Sequence, residues 1–154
     1  MSTLVDWPGL IHSTNQAQTG GDKVLILDLV KEYVDKDRTR ILAVVRAKND
    51  HTNEIVLDHA RRADEKGRRT LGIITKPDFL RDGSDNELCW MELARNKDIY
   101  LERGWHRLKN RGDNPMGYSF TELFFSKGRY VDLTRECVSI HSLRERLSKM
   151  LPDR

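Results

Sequence analysis

The sequence has few cysteines and no long apolar run. Its two cysteines, Cys89 and Cys137, lie far apart and lack the Cys-x-x-Cys spacing of a zinc or redox site. We therefore expect reduced, buried thiols and no metal ion bound by cysteine or histidine. Asp28 and Arg46 interrupt the longest apolar runs, so no membrane-spanning helix is predicted. The amino terminus also lacks the basic and apolar pattern of a signal peptide, and the expected location is cytoplasmic.

A large excess of one charge is also missing. The chain has 27 basic and 24 acidic residues, which gives a formal net charge of +3. Dedicated nucleic-acid-binding domains have a larger basic excess, so we expect no nucleic-acid partner. One basic cluster follows a predicted helix, where the helix dipole favours cations and water solvates them, and a phosphate or lipid role is the less favoured alternative. The cluster consists of Arg61, Arg62, Lys66, Arg68 and Arg69.

What the sequence does contain is an alternation of short apolar strands and amphipathic helices. Strands are predicted at residues 2–5, 40–45, 70–75 and 105–108. The predicted helices are one capped by Asp22, one over residues 53–66 that Gly67 closes, and one after Gly83 that carries Leu88, Trp90, Met91 and Ala94. The alternation predicts an α/β, doubly wound, mostly parallel sheet flanked by helices. A chain of 154 residues suits one such domain.

Two capping boxes are predicted nearer the carboxyl end. Ser119 with Glu122 precedes an apolar stretch, and Ser142 with Glu145 precedes Leu147. We predict that residues 1–139 form the domain and that residues 140–154 form a terminal helix.

Polar side chains follow the predicted strands at their carboxyl ends, where parallel α/β sheets bind ligands. Thr75, Lys76 and Asp78 match the Thr/Asn-Lys-x-Asp pattern with which GTPases read guanine. An aspartate at this place accepts two hydrogen bonds from the guanine ring N–H and exocyclic amine, and the lysine stem lies along the base. Adenine lacks that pair of donors, so such a site rejects it. For these residues alone, a plain turn is the simpler interpretation.

Two further motifs follow predicted strands. In phosphoryl-transfer proteins an acid at the place of Asp6 holds the nucleotide's Mg²⁺ through water, and a glycine at the place of Gly9 contacts the terminal phosphate. Asn110 and Arg111 follow the last predicted strand. Each motif alone also fits a solvated turn. In this order, and each at a strand end, the motifs together indicate a nucleotide-binding site.

These stretches together resemble the GTPase domain of the dynamin superfamily, and among its members the fungal dynamin-like proteins. The resemblance covers nearly the whole chain and rests on residues 5–9, 41–45 and 69–78, the Asn110-Arg111 pair and the Phe124-Phe125 pair. It implies a Ras-like P-loop GTPase fold, here truncated at its amino end. It also implies GTP or GDP with Mg²⁺ as cofactors, and GTP hydrolysis coupled to membrane remodelling.

The resemblance also implies roles for individual residues. The residues implied to bind the nucleotide are Asp6, Gly9, Thr75, Lys76, Asp78, Asn110 and Arg111, with Asp6 holding Mg²⁺ through water. Asn49 and Asp50 would reach a second GTPase domain in a dimer. Membranes would be reached indirectly, through domains beyond this chain, which implies a cytoplasmic protein or one peripheral to membranes or microtubules. Residues 140–154 would be a final core helix or the start of the bundle that leads to a stalk.

The phosphate-binding loop of GTPases is missing from this sequence. That loop reads GxxxxGK[ST], whereas none of the ten glycines here is followed by lysine. The switch threonine expected before Asp6 is absent as well. We therefore expect little or no GTP turnover from this chain by itself. The alternatives are a non-catalytic fragment or degenerate GTPase that acts as a protein-interaction module through the surface around Asp50, and an unrelated doubly wound binding domain.

Overall fold

The computed structural model describes residue 5 and residues 20–48, 54–109 and 123–150. The helices are α1 (Gly20–Val34), α2 (Ile55–Ala63), α3 (Asp85–Ala94) and α4 (Ile140–Met150), and the strands are β1 (Ile41–Arg46), β2 (Thr70–Thr75) and β3 (Trp105–Leu108). Three 3-10 turns span Pro77–Phe79, Gly128–Tyr130 and Arg135–Cys137. Within these ranges, no helix is both long and apolar enough to cross a bilayer.

The three strands form a parallel sheet in the order β1-β2-β3. Arg46 of β1 and Leu108 of β3 both align with Thr75 of β2, so the carboxyl ends of the strands lie level at one edge of the sheet. The first five residues of β2 are buried, as expected for a central parallel strand. The predicted parallel sheet is therefore confirmed.

Helices cover both faces of the sheet. On one face, α2 and α3 pack against alternate strand residues, and the buried members of this core are Ala43, Val45, Ile74 and Trp105 from the strands with Leu57, Ala60, Trp90, Leu93 and Ala94 from the helices. On the other face, Leu143 and Met150 of α4 pack against Leu71 and Ile73 of β2. Two covered faces define a doubly wound α/β layer, which agrees with the predicted class.

Arg69 joins the ends of two helices to the start of the sheet. Its Nη1 donates to the carbonyls of Val34 at 2.6 Å, Lys36 at 3.2 Å and Thr39 at 3.3 Å, and its Nη2 donates to Ala63 at 2.6 Å. One guanidinium therefore satisfies carbonyls at the carboxyl ends of α1 and α2, which helices leave without internal partners. The predicted position of Arg69 at a helix carboxyl end, where cations are favoured, agrees with these contacts, but its guanidinium is bonded to the carbonyls and is not simply solvated.

The carboxylate of Asp64 organises the same corner. It accepts hydrogen bonds from the backbone N–H groups of Arg68 and Arg69 and from the Thr70 hydroxyl. Burial alone would raise the pKa of Asp64, but these hydrogen bonds and the Arg69 charge lower it below its usual value. The turn between α2 and β2 is thus held by a charged carboxylate.

Two predicted helix boundaries and one predicted helix cap were wrong. α1 begins at Gly20, ahead of Asp22, and α2 ends at Ala63, so Gly67 lies in the following turn with φ of +61°. α4 begins at Ile140, which places Ser142 inside the helix. The Ser142 N–H donates to the Ser139 hydroxyl at 3.4 Å, so Ser139 is the residue that caps α4.

The predicted packing of α3 and of the thiols was also partly wrong. Trp90 is buried, but Leu88 is 44% exposed, because the buried face of α3 is made by Glu87, Trp90, Met91, Leu93 and Ala94. Both cysteines are free, as expected, yet Cys89 is exposed and Cys137 is half-buried.

Two predicted elements lie wholly or mostly outside the residues that the structure describes. Of the strand predicted at residues 2–5, only Val5 is described, and it is exposed and not part of a strand. The capping box at Ser119 and Glu122 lies outside the described residues. The boundary at residue 139 stays a prediction, while α4 itself packs on the sheet.

Candidate functional site

The loop that leaves β2 carries the motif for reading guanine, and we name residues 75–84 the base loop. At its start, the Thr75 hydroxyl donates to the Val45 carbonyl at 3.1 Å. The Lys76 N–H then donates to the Leu108 carbonyl at 3.2 Å. The loop is therefore attached to both neighbouring strands at the edge where all three strands end.

Lys76 has a left-handed backbone, with φ of 54° and ψ of 47°. This conformation costs a non-glycine residue about 1 kcal/mol, and such outliers are concentrated at functional sites. It turns the chain sharply after the strand and leads into the 3-10 turn Pro77–Phe79. As a result, Pro77 is buried while Asp78 is exposed. A glycine would adopt this backbone without strain, so the lysine side chain is retained at a cost.

Asp78 and Lys76 are both available for a ligand. Asp78 is exposed, and within the described part of the chain its carboxylate has no hydrogen bond or ion pair. The Lys76 Nζ lies 5.6 Å from the centroid of the Phe79 ring. An exposed carboxylate can accept hydrogen bonds from two adjacent N–H donors on the edge of a flat base.

Phe79 is the residue of this site that the sequence reasoning missed. It is 62% exposed, and its ring lies within cation–π distance of the Lys76 ammonium group. The signal was present, because an aromatic residue directly follows Asp78 in a loop at a strand end.

The remaining predicted site residues lie outside the described residues: Asp6, Gly9, Asn49, Asp50, Asn110 and Arg111. The ends of β1 and β3, which lie level at one edge of the sheet, are close in sequence to four of these residues. β1 ends three residues before Asn49, and β3 ends two residues before Asn110. Their roles remain predictions. In the ranges that the structure describes, no cluster of three or more His, Cys, Asp or Glu side chains could hold a metal ion.

A second group of ionisable side chains lies on β3 away from the base loop. His106 is fully buried, and its Nε2 lies 2.7 Å from the Ser139 carbonyl. Burial, helped by the charges of Arg146 and Arg107, lowers the pKa of His106 to about 4, against the opposing effect of that hydrogen bond. Burial likewise lowers the pKa of Arg107 to about 10. Both side chains are buried in the core, and we assign no ligand to them.

The Arg107 guanidinium is only partly satisfied. Its Nη2 donates to the Ala94 carbonyl at 3.0 Å, at the end of α3. Its Nε and Nη1 have no hydrogen-bond partner in the part of the chain that the structure describes. A buried cation without a full set of acceptors is costly, so Arg107 reduces the stability of this region.

The fold and the base loop define an α/β parallel-sheet protein with a Thr-Lys-x-Asp loop at the carboxyl end of its central strand. Comparison with known proteins identifies the family within this class. The family model described as "Dynamin family" matches residues 1–77, which is half of the chain. The chain therefore belongs to the dynamin family.

Individual relatives agree with this membership. An interferon-induced GTP-binding protein Mx from Siniperca chuatsi is 33% identical over 145 residues, which are 92% of this chain and 22% of that protein. Human dynamin-1 is 35% identical over 109 residues, which are 71% of this chain and 12% of that protein. The chain thus spans about a fifth or less of the length of these relatives. They do not test the predicted similarity to fungal members, which stays a prediction.

Proposed function

We propose that this chain supplies the guanine-recognition part of a dynamin-type GTPase domain. The observation that carries the proposal is the base loop, in which Lys76 adopts a left-handed backbone and leaves the Asp78 carboxylate exposed at the edge where the strands end. Asp78 accepts the two guanine donors, and the Lys76 stem covers one face of the base. Selection of guanine follows because adenine leaves a carboxylate oxygen unpaired.

The other parts of the proposal rest on the family. A relative named as the GTP-binding protein Mx supports GTP as the nucleotide. We also propose a dimer of GTPase domains, which the resemblance to the dynamin superfamily implies. We propose Mg²⁺ through Asp6, dimer contacts through Asn49 and Asp50, and contacts to the base and ribose through Asn110 and Arg111. We also propose a cytoplasmic location, with coupling to membrane remodelling through regions of the protein beyond these 154 residues.

A nucleotide titration tests the base site. A fluorescent GDP analogue is added to the full chain and displaced with GDP or ADP. We expect GDP to displace it and ADP to fail. Asp78→Ala should weaken the affinity at least about tenfold, because two hydrogen bonds to a charged acceptor are lost. Asp58→Ala, which removes an exposed carboxylate on α2, is the matched control and should bind normally.

A change of base specificity makes the test sharper. Asp78→Asn replaces one acceptor by an amide donor, which is complementary to the C2 carbonyl of xanthine instead of the guanine amine. We expect this variant to lose GDP and to gain affinity for xanthosine diphosphate. Equal binding of adenine and guanine nucleotides by the unaltered chain would defeat the proposal. Absence of all nucleotide binding would favour the non-catalytic interaction module.

A further inference from the structure

The base loop is contacted on its buried side by residues distant in sequence, and the first of these contacts is Glu87. Glu87 lies in the first turn of α3, with 3% of its surface exposed. Its Oε2 accepts the Gly83 N–H at 2.8 Å. The Ser84 hydroxyl accepts the Glu87 N–H at 3.1 Å, which caps α3. A buried carboxylate needs strong donors, so the far end of the base loop is tied to this side chain.

Arg129 supplies the cation that faces this carboxylate. Its Nη1 lies 3.7 Å from Glu87 Oε2 and donates to the Ser84 carbonyl at 3.4 Å. One guanidinium therefore contacts both the carboxylate under the loop and the loop's last residue. The contact spans 45 positions of sequence, so it depends on the tertiary fold.

Tyr130 holds the opposite end of the loop. Its hydroxyl donates to the Pro77 carbonyl at 3.4 Å, directly before Asp78. The ring is 6% exposed and packs against Phe124 and Phe125, with ring centroids 4.9 Å and 5.8 Å away. Burial, with smaller effects from Glu87, Asp82 and Asp78, raises the pKa of Tyr130 above its usual range. The hydroxyl is thus a fixed, protonated donor.

We propose that Tyr130 and Arg129 are positioning residues for guanine recognition. Tyr130 holds the base loop at Pro77. Arg129 holds it at Ser84, next to the bond between Glu87 and Gly83. Asp78 lies between these two attachments and is exposed. Two hydrogen bonds to one base edge require a carboxylate held within a narrow range of angles, and residues behind a site commonly supply this restraint. The inference rests on the proposed function and adds residues to it that lie in a different part of the chain.

The first experiment measures the loop without nucleotide. Tyr130→Phe removes the hydroxyl and keeps the ring, and Tyr100→Phe, at a side chain 65% exposed, is the matched control. Amide hydrogen exchange of the full chain is read at Phe79, Leu80 and Gly83, whose N–H groups are bonded within the loop or to Glu87. We expect about two- to tenfold faster exchange there in Tyr130→Phe, with other β2 and β3 amides unchanged. Unchanged exchange in the loop would overturn the role of Tyr130.

The second experiment measures base discrimination. Inosine diphosphate lacks the exocyclic amine of guanine, so the ratio of GDP to IDP affinity reports how well Asp78 meets both donors. Arg129→Gln and Tyr130→Phe should lower this ratio by about two- to tenfold, whereas Lys127→Gln, at an exposed neighbour, should keep it.

The two experiments separate the possible failures. Weaker binding of both nucleotides with an unchanged ratio would mean that these residues only stabilise the fold, and would overturn the positioning proposal. If the unaltered chain binds neither nucleotide, the proposed function fails. The exchange experiment then decides by itself whether Tyr130 holds the loop.

Discussion

Gly72 lies directly beneath the indole ring of Trp105 across the β2–β3 pair. A Cβ built on Gly72 would lie 2.3 Å from Trp105 Cε3, a distance that real carbon atoms do not adopt. The two residues are aligned in the sheet, and the ring is 2% exposed. The absence of a side chain at Gly72 is therefore what lets the central strand accept a buried tryptophan.

Gly72→Ala should destabilise the fold through this contact. We expect the free energy of unfolding to fall by about 2 kcal/mol, since overpacking of a filled core costs about 1–3 kcal/mol. Urea unfolding measures the change. Gly83→Ala is not a matched control because Gly83 has a positive φ, so the comparison is the double variant Gly72→Ala with Trp105→Leu. If the smaller partner does not reduce the cost of the alanine, the steric explanation fails.

Lys76 should show a conflict between stability and recognition. Lys76→Gly relieves the left-handed backbone, and we expect the free energy of unfolding to rise by up to about 1 kcal/mol. Lys76→Ala keeps the strained backbone and should bring no such gain. Both variants lose the stem that covers the base, so both should bind GDP more weakly. Paired denaturant unfolding and GDP titration measure the two effects, and a glycine variant with normal GDP affinity would contradict the role of the lysine.

Adjacent arginines should differ sharply in their effect on stability. Arg69→Lys leaves several of its four carbonyl partners without a donor, including those of Val34 and Ala63 at the helix ends, because an ammonium group lacks the fork geometry of the guanidinium. We expect a loss of about 1–3 kcal/mol in the free energy of unfolding. Arg68→Lys is the control, because the Arg68 side chain is 69% exposed and its ion pair is long, with 3.9 Å between Nε and Glu102 Oε2. The free energy of unfolding should fall by no more than about 0.5 kcal/mol. Equal losses would show that the carbonyl contacts are unimportant.

Stability should fall in mild acid because of His106. Its pKa is about 4 in the folded chain, below the usual histidine value of 6.5, so the unfolded chain takes up a proton first as the pH falls. The contribution of the neutral His106 to the free energy of unfolding is fully present above pH 6.5 and is lost progressively down to about pH 4. Between pH 7 and pH 5 we expect a loss of about 2 kcal/mol. His106→Gln removes the ionisable group and should reduce this dependence in urea unfolding at the two pH values. An identical pH dependence in both proteins would contradict the buried neutral imidazole.

GTP turnover by this chain alone should be very low. The sequence contains no Gly-Lys pair, so it has no GxxxxGK[ST] loop to hold the β and γ phosphates. The proposed role of Asp78 is to select the base, whereas phosphoryl transfer depends on positioning and charge stabilisation around those phosphates. Phosphate release from GTP measures the rate. Turnover comparable to that of an intact dynamin GTPase domain would contradict this prediction.

Much of the fold could be predicted from the sequence. Residues 70–75 and 105–108 were predicted as strands with the bounds that the structure shows, because each is a short run limited by turn residues. Helix bounds were less accurate at Gly20 and Ala63, and the predicted cap of α4 was wrong. A capping residue is recognised by its hydrogen bond, and Ser139 and Ser142 are equally plausible caps until that bond is known.

The sequence by itself determined the motif at the end of β2 and the family, since both depend on residue types in a fixed order. Only the tertiary structure decided which residues support that motif. Tyr130 and Pro77 are 53 positions apart, and Arg69 contacts Val34 across 35 positions. Such contacts leave no periodic pattern in the sequence, because they form when the fold brings segments that are distant in sequence together. The left-handed backbone of Lys76 is likewise seen only in the tertiary structure, where the Lys76 N–H bonds to β3 and the Thr75 hydroxyl bonds to β1.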